Sequence, residues 1–382
     1  MPLTHPTNAA FFSTSISRAA PTPVPEWASP QARLAAEGFL KRWHAYDAAE
    51  GDQRRPATEY VQTLDANQLG LLRVLVEGMV PLHPQQRSIG ASAADLGASA
   101  AEVLRGQMER LPAHGEPLLP AEHLVYFTPR VPSSILAPDG SDPSFNPPGG
   151  VFTRRMWAGG EMDFPHHPQK LCVGAEVTER TFVEDVLVKR LGGGAGGEEM
   201  LVVWVRKEYV VEGAIVLRDR RSWVFRQALA SPPTASPLAP PPAAAPASSQ
   251  RATESETIEL SHSPADLFRF SALTYNAHQI HLDAHWARTI EGHNGVVVHG
   301  PLNVLLLCRF WLSIERKKEG KRRREVKKVV YRAKSPVCAH EAYRLVKVSE
   351  ARTGGDGDVL QAVRTDSDKV IMEATIFSSP LQ

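Results

Sequence analysis

Cysteine is scarce: Cys172, Cys308 and Cys338 are the only three in 382 residues, far apart and without a C-x-x-C pair. That argues against a disulfide framework or a zinc ribbon and fits a reducing compartment. Cys308 and Cys338 lie in apolar surroundings and are expected as small core residues rather than nucleophiles. Long apolar runs are missing as well. No stretch of about eighteen apolar residues occurs, so no membrane-spanning helix is expected. Charge of one sign is also missing, since 43 Lys and Arg against 42 Asp and Glu leave a net charge of +1. Charge therefore gives no support to nucleic acid or a membrane surface as a partner. Acidic residues are absent from the first 25 positions, which are rich in Ser, Thr, Ala and Pro and hold Arg18 as their only Lys or Arg. Two readings stand there: a mitochondrial transit segment, which is acid-poor and Ser-rich, or a disordered tail.

What is present suffices for two domains with a sizeable core. Apolar spacing predicts helices over residues 30–50 (Leu34, Phe39, Leu40, Trp43) and 57–80 (Tyr60, Val61, Leu64, Leu69, Leu72, Leu75, Val76). Ala-rich composition predicts a third over residues 91–111. A short apolar run, His123–Phe127, precedes a Pro/Gly/Ser/Asp-rich loop at 129–150. Strand-like runs follow at Thr178–Leu191, Met200–Val211 and Ala214–Gln227, joined by turns that suit antiparallel hairpins. Residues 229–252 form an Ala/Pro/Ser linker without aromatics in its low-complexity core, which places a domain boundary between units at 26–228 and 253–382. In the second unit Ser263-Pro264 has the form of a helix start. Gly300–Arg316 is apolar on most faces and is expected as a buried helix. Strands are expected at Glu325–Ala333, Ala339–Glu350, Val359–Thr365 and Lys369–Phe377. The class is α+β, with antiparallel sheet curved around a central helix.

The densest chemistry lies in Phe270-Ser-Ala-Leu-Thr-Tyr-Asn-Ala-His-Gln-Ile-His-Leu-Asp283 and in Gly295-Val-Val-Val-His-Gly-Pro-Leu302. An imidazole can act as base or acid near neutral pH without a large shift in its pKa. A backbone N–H at a helix N-terminus is a ready donor to a developing oxyanion, and Gly300 opens the apolar helix with Pro301 behind it. His278 and His281 form an H-x-x-H pair with Asp283 nearby, but no further ligand cluster of standard spacing accompanies them, so no metal is expected. His299 either lines a pocket or caps the helix start.

These two segments, with Arg154–Gly160 and Asp219–Arg226, resemble the MaoC-like hydratases. The resemblance is closer to the hydroxyacyl-thioester dehydratase type 2 and mesaconyl-CoA hydratase proteins, over residues 120–228 and 255–380. It implies a double hot-dog fold and a hydro-lyase that adds or removes water across C2–C3 of an acyl-CoA or acyl-carrier-protein thioester. By resemblance, the reaction is dehydration of a 3-hydroxyacyl thioester in mitochondrial fatty-acid synthesis; the rivals are a short dicarboxylyl-CoA as substrate, or binding without turnover. No organic cofactor is implied, and homo-oligomers are open. The family pattern, approximately Ser-Gly-Asp-x-Asn-Pro-Leu-His, puts its acid/base His on His281, its Asp on Asn276 and its Asn on His278. An amide cannot exchange a proton as a carboxylate does, so Asn276 is left to orient water or a hydroxyl, and the load moves to His281. The resulting site is catalytic His281, Asn276 and Gly300, with His278, Asp283, His299, Arg154 and Arg155 binding substrate. A carboxylated substrate would need a pocket-facing arginine, for which Arg154, Arg155 and Arg269 are available. The basic run Lys317–Lys328 is either a solvated turn, a dock for an acidic carrier or the phosphates of coenzyme A, or a localisation patch.

Overall fold

The computed structural model describes residues 21–44, 56–82, 111–192, 197–229, 257–318, 324–348 and 357–380. The expected linker core and residues 91–110 of the helix expected at 91–111 lie outside them. Helix α1 (Pro30–His44) precedes strand β1 (Thr58–Thr63) and helix α2 (Ala66–Glu77). Strands β2 (Phe152–Asp163), β3 (Glu176–Arg190), β4 (Glu199–Val211) and β5 (Ala214–Gln227) complete the first half. The second half runs β6 (Thr257–Leu260), α3 (Pro264–Leu273), α4 (Ala284–Thr289), α5 (Gly300–Arg316), β7 (Arg324–Ala333), β8 (Tyr343–Lys347), β9 (Asp358–Arg364) and β10 (Val370–Pro380).

The ten strands among the described residues form one sheet in the order β1-β3-β4-β5-β2-β7-β10-β9-β8-β6. Each half reads outward from the join in the same sequence: second strand, fifth, fourth, third, first. The two halves are therefore one motif used twice, joined antiparallel by β2 and β7 over five residue pairs, Gly159–Asp163 against Lys328–Arg332. This is the double hot-dog architecture.

Two local expectations are corrected. Residues 57–80 are not one helix: β1 occupies Thr58–Thr63 and pairs with β3, and α2 starts only after Asp65, whose side chain accepts the Gln68 N–H. The Tyr60, Val61 and Leu64 spacing suits either period, and the alternating burial of β1 shows that the sheet period won. Strand β2 was not anticipated, because its Arg-Arg and Gly-Gly pairs break the apolar pattern; it lies at the centre of the sheet, bonded to β5 on one side and β7 on the other.

The halves differ in what fills their concave faces. In the second half α5 is buried nearly all round, with Leu302, Leu305, Leu306, Phe310 and Trp311 packed on Val329, Tyr343, Leu345, Leu360, Ala362, Met372 and Ala374. Each such leucine contributes about 1.5–3 kcal/mol by leaving water. In the first half α1 covers one end of β3–β5 through Ala32, Ala36 and Phe39 against Val183, Val203 and Phe225, and α2 lies over the other end. Between them the sheet carries charge. Lys207 Nζ is 2.7 Å from Glu179, His123 Nε2 is 3.0 Å from Asp219, and Arg221 pairs with Asp219.

The helix start expected at Ser263-Pro264 is present and takes the form of a capping box, with Asp266 as the reciprocal partner of Ser263. Within the basic run, Lys318, Arg324, Lys327 and Lys328 sit against Glu315, Asp358, Glu325 and Glu161. No helix among the described residues is long and apolar enough to cross a membrane.

Candidate active site

A cavity of about 850 Å³ runs between the halves. One wall is the loop after α3 and the start of α5: Asn276, His278, His281, His299 and Gly300. The other is first-half sheet, with Arg155, Trp157, Glu179, Lys207, Tyr209 and Arg221.

His281 ends a 3₁₀ turn, Gln279–His281, and is buried. Its Nδ1 lies 2.7 Å from the carbonyl of Val297, so Nδ1 must carry the hydrogen. Nε2 is left as the lone-pair nitrogen, with no hydrogen-bond partner among the described residues. Burial, then the neighbouring His278, lower its pKa to about 3, against a bond to Val297 that opposes the shift. The ring is thus neutral at physiological pH. His299 stacks on it at 3.7 Å between ring centroids and 19° between planes, and its Nε2 meets Ser271 Oγ at 2.8 Å. Burial, followed by His281, pushes the His299 pKa well down, so the stack holds two uncharged imidazoles. His299 stands at the cap position of α5 but makes no side-chain cap; of its two expected roles, lining the cavity is the one it has.

Gly300 begins α5, and its N–H has no acceptor among the described residues. A Cβ at this position would lie 2.8 Å from the Trp157 ring, so the residue is small because β2 presses a tryptophan against the helix start. Trp157 in turn stacks on Tyr331 of β7 at 6.1 Å. Asn276 Oδ1 accepts the His278 N–H at 3.1 Å, leaving its amide nitrogen for the cavity.

Two expected substrate contacts do not reach the cavity. Asp283 caps α4, accepting from the N–H groups of His285 and Trp286. No group of three His, Cys, Asp or Glu residues placed to hold a metal ion occurs among the described residues. Arg154 is committed to Glu291, donating to its carboxylate at 2.8 Å and its carbonyl at 2.9 Å. Arg269 is exposed on α3. Arg155 is different. It lines the cavity, donates to the carbonyl of Asp142 at 2.9 Å and lies 5.9 Å over the Trp223 ring, and no carboxylate pairs with it among the described residues. Burial lowers its pKa, against the fields of Asp142 and Asp139.

Apart from Arg155, sequence reasoning missed the first-half residues of this site. Asp139 lies in the 129–150 loop, with Oδ2 3.2 Å from His278 Nε2. Burial would raise its carboxyl pKa, but contacts with His278 and Ser141 hold it well below the carboxylate range. No local signal marks Asp139, because its partner is far away in the chain.

The model of the hydroxyacyl-thioester dehydratase type 2 family matches residues 121–339. The chain is 32% identical over 257 residues to a mesaconyl-C(4)-CoA hydratase of Chloroflexus aurantiacus, covering 67% of this chain and 82% of that protein. It is 25% identical over 248 residues to the mitochondrial hydroxyacyl-thioester dehydratase type 2 of Schizosaccharomyces pombe, covering 60% and 77%. The crystal structure of a MaoC-like dehydratase from Phytophthora capsici superimposes with a TM-score of 0.50 at 15% identity, over 86% of this chain and 97% of that one. That likeness concerns the fold alone. The chain belongs to the hydroxyacyl-thioester dehydratase type 2 family and is a hydro-lyase.

Proposed function

We propose that the protein interconverts 2-enoyl and 3-hydroxyacyl thioesters, with His281 Nε2 as the proton-transfer group at C2. The observation that carries this is the pinned tautomer of His281, whose open nitrogen lines the same cavity as the free N–H of Gly300. Removing the C2 proton throws charge onto the thioester oxygen, and an N–H at a helix N-terminus stabilises it. The Asn276 amide orients the C3 hydroxyl or the incoming water.

The relatives' names suggest two acyl classes: hydroxyacyl chains of fatty-acid synthesis, and a short dicarboxylyl group on coenzyme A. Arg155 and the ionic floor of the cavity favour the second. A long apolar chain would strip water from Glu179, Lys207 and Arg221 and give nothing back. A carboxylate would give the Arg155 guanidinium a charged partner. Mitochondrial residence rests on the yeast relative and the acid-poor first 25 residues, and import of a fluorescent fusion to those residues tests it.

The activity test is a panel of purified mesaconyl-CoA, crotonyl-CoA and longer 2-enoyl and 3-hydroxyacyl thioesters, with His281→Ala alongside. The variant should lose about 10²–10⁴-fold in kcat. Full activity in it, or no turnover of any thioester by the wild type, would remove the reading.

A further inference from the structure

The hydro-lyase reading leaves one proton without a carrier. Dehydration needs a base for C2–H and an acid for the departing C3 oxygen, and Asn276 cannot be that acid. The structure places one other titratable ring beside His281 on the same wall. His278 lines the cavity with its ring 5.7 Å from that of His281 and at 86° to it. Its Nε2 lies 3.2 Å from Asp139 Oδ2, a close ionic contact outside hydrogen-bond geometry, and no hydrogen bond to its Nδ1 occurs among the described residues.

The contact with Asp139 is built, not incidental. The Asp139 carbonyl accepts the Gln279 N–H at 2.7 Å, and its Oδ1 accepts the Ser141 N–H at 2.9 Å. Gly140 holds φ at +77°, and a Cβ there would lie 2.2 Å from the carbonyl of Ala277. Only glycine lets the loop seat this closely. The groups whose fields reach the two rings are Asp139 and Arg155 from the first half and His293 and His299 from the second, with Asp142 beside Arg155.

We propose that His278 is the second proton-transfer residue, acting at the C3 oxygen, and that Asp139 is its positioning residue and counter-charge. This rests on the hydro-lyase reading and completes it. In dehydration His281 Nε2 takes the C2 proton, and the C–H pair moves into the thioester carbonyl, whose oxygen faces Gly300. The pair then returns to form the C2=C3 bond as the C3–O bond breaks. The leaving oxygen takes a proton from the His278 imidazolium and departs as water. A proton passed from His281 to His278 through solvent resets the site, and hydration is the reverse. The two rings differ in their neighbours: His281 stacks on another imidazole, and His278 faces a carboxylate.

The test uses the full chain and whichever thioester of the panel the wild type turns over best, with thermal unfolding as the folding control. His278→Asn should lower kcat by about 10²–10⁴-fold while KM changes only a few-fold. Asp139→Asn should lower kcat less and move the alkaline limb of the dehydration pH profile to lower pH, because the imidazolium loses its counter-charge. Adding Asn276→Asp to His278→Asn restores a carboxylate to the same wall, and should recover at least about tenfold of the lost kcat. A kcat for His278→Asn within about threefold of wild type, an Asp139→Asn profile that superimposes on the wild type, or a folded double variant without recovery overturns the proposal. A wild type inert towards every thioester fails earlier, and removes the hydro-lyase reading itself.

Discussion

The two halves share a strand order but differ in what they hold. The second encloses a helix whose leucines, Phe310 and Trp311 meet apolar strands, and three of its buried histidines, His262, His281 and His299, are held neutral by burial. The first keeps charges in the matching place, Glu179 with Lys207 and Asp219 with Arg221. Buried ion pairs stabilise little relative to apolar packing, so the first half gives up packing in exchange for a polar chamber. Duplication here permits specialisation: one copy supplies rigidity and His281, the other supplies walls and Arg155.

The largest test of this division is Gly300→Ala. The added methyl meets Trp157 of the first half, so displacement at the join should cost about 10²-fold in kcat. If kinetics are unchanged, the helix start is not held by its partner half in the way described. Arg155→Met comes next. It should lower kcat/KM for carboxylated thioesters at least about 30-fold relative to uncharged ones, on the order of the 2–5 kcal/mol that truncating one partner of a buried charge pair costs. Equal losses on both would mean that Arg155 is structural.

The smallest effect separates the halves by acid. His281 and His262 have pKa values lowered to about 3 and about 4, against about 6.5 when unfolded. Between pH 6.5 and 4 the unfolded chain therefore binds more protons than the native one, and stability falls as pH falls through that window. Asp219 and Asp139 have lowered carboxyl pKa values, so their contribution is lost only on further acidification below the ordinary carboxylate range. Hydrogen exchange, corrected for intrinsic rate, should rise first in α5 and β8 between pH 7 and 4.5, and later in β3–β5. A reversed order would contradict the contrast.

Much of the second half was legible in the sequence. Helix α5, the cap at Ser263 and the strands after it follow from periodicity and local hydrogen bonding, which short windows carry. The motif also led to Asn276, His278, His281 and Gly300, all of which line the cavity. What was not legible depends on distant chain. Asp139 sits in a loop whose composition signals only turns, and its role comes from a contact across 139 positions of sequence. Strand β2 lines the cavity with Arg155 and Trp157, and its Arg-Arg and Gly-Gly pairs leave no apolar alternation to read. Arg154 and Arg155 are adjacent and chemically identical, and only the sheet decides that one meets Glu291 and the other the cavity.

The join between β2 and β7 has a consequence for how the molecule could be taken apart. The halves meet through backbone pairing, through Trp157 on Tyr331, and through Arg154 with Glu291 and His278 with Asp139. None of these contacts depends on the peptide connecting β5 to β6. Two fragments divided between residues 229 and 257 would each present an unpaired central edge that only the other completes. Such fragments should reassemble as a split enzyme, with the missing half serving as an obligatory cosubunit.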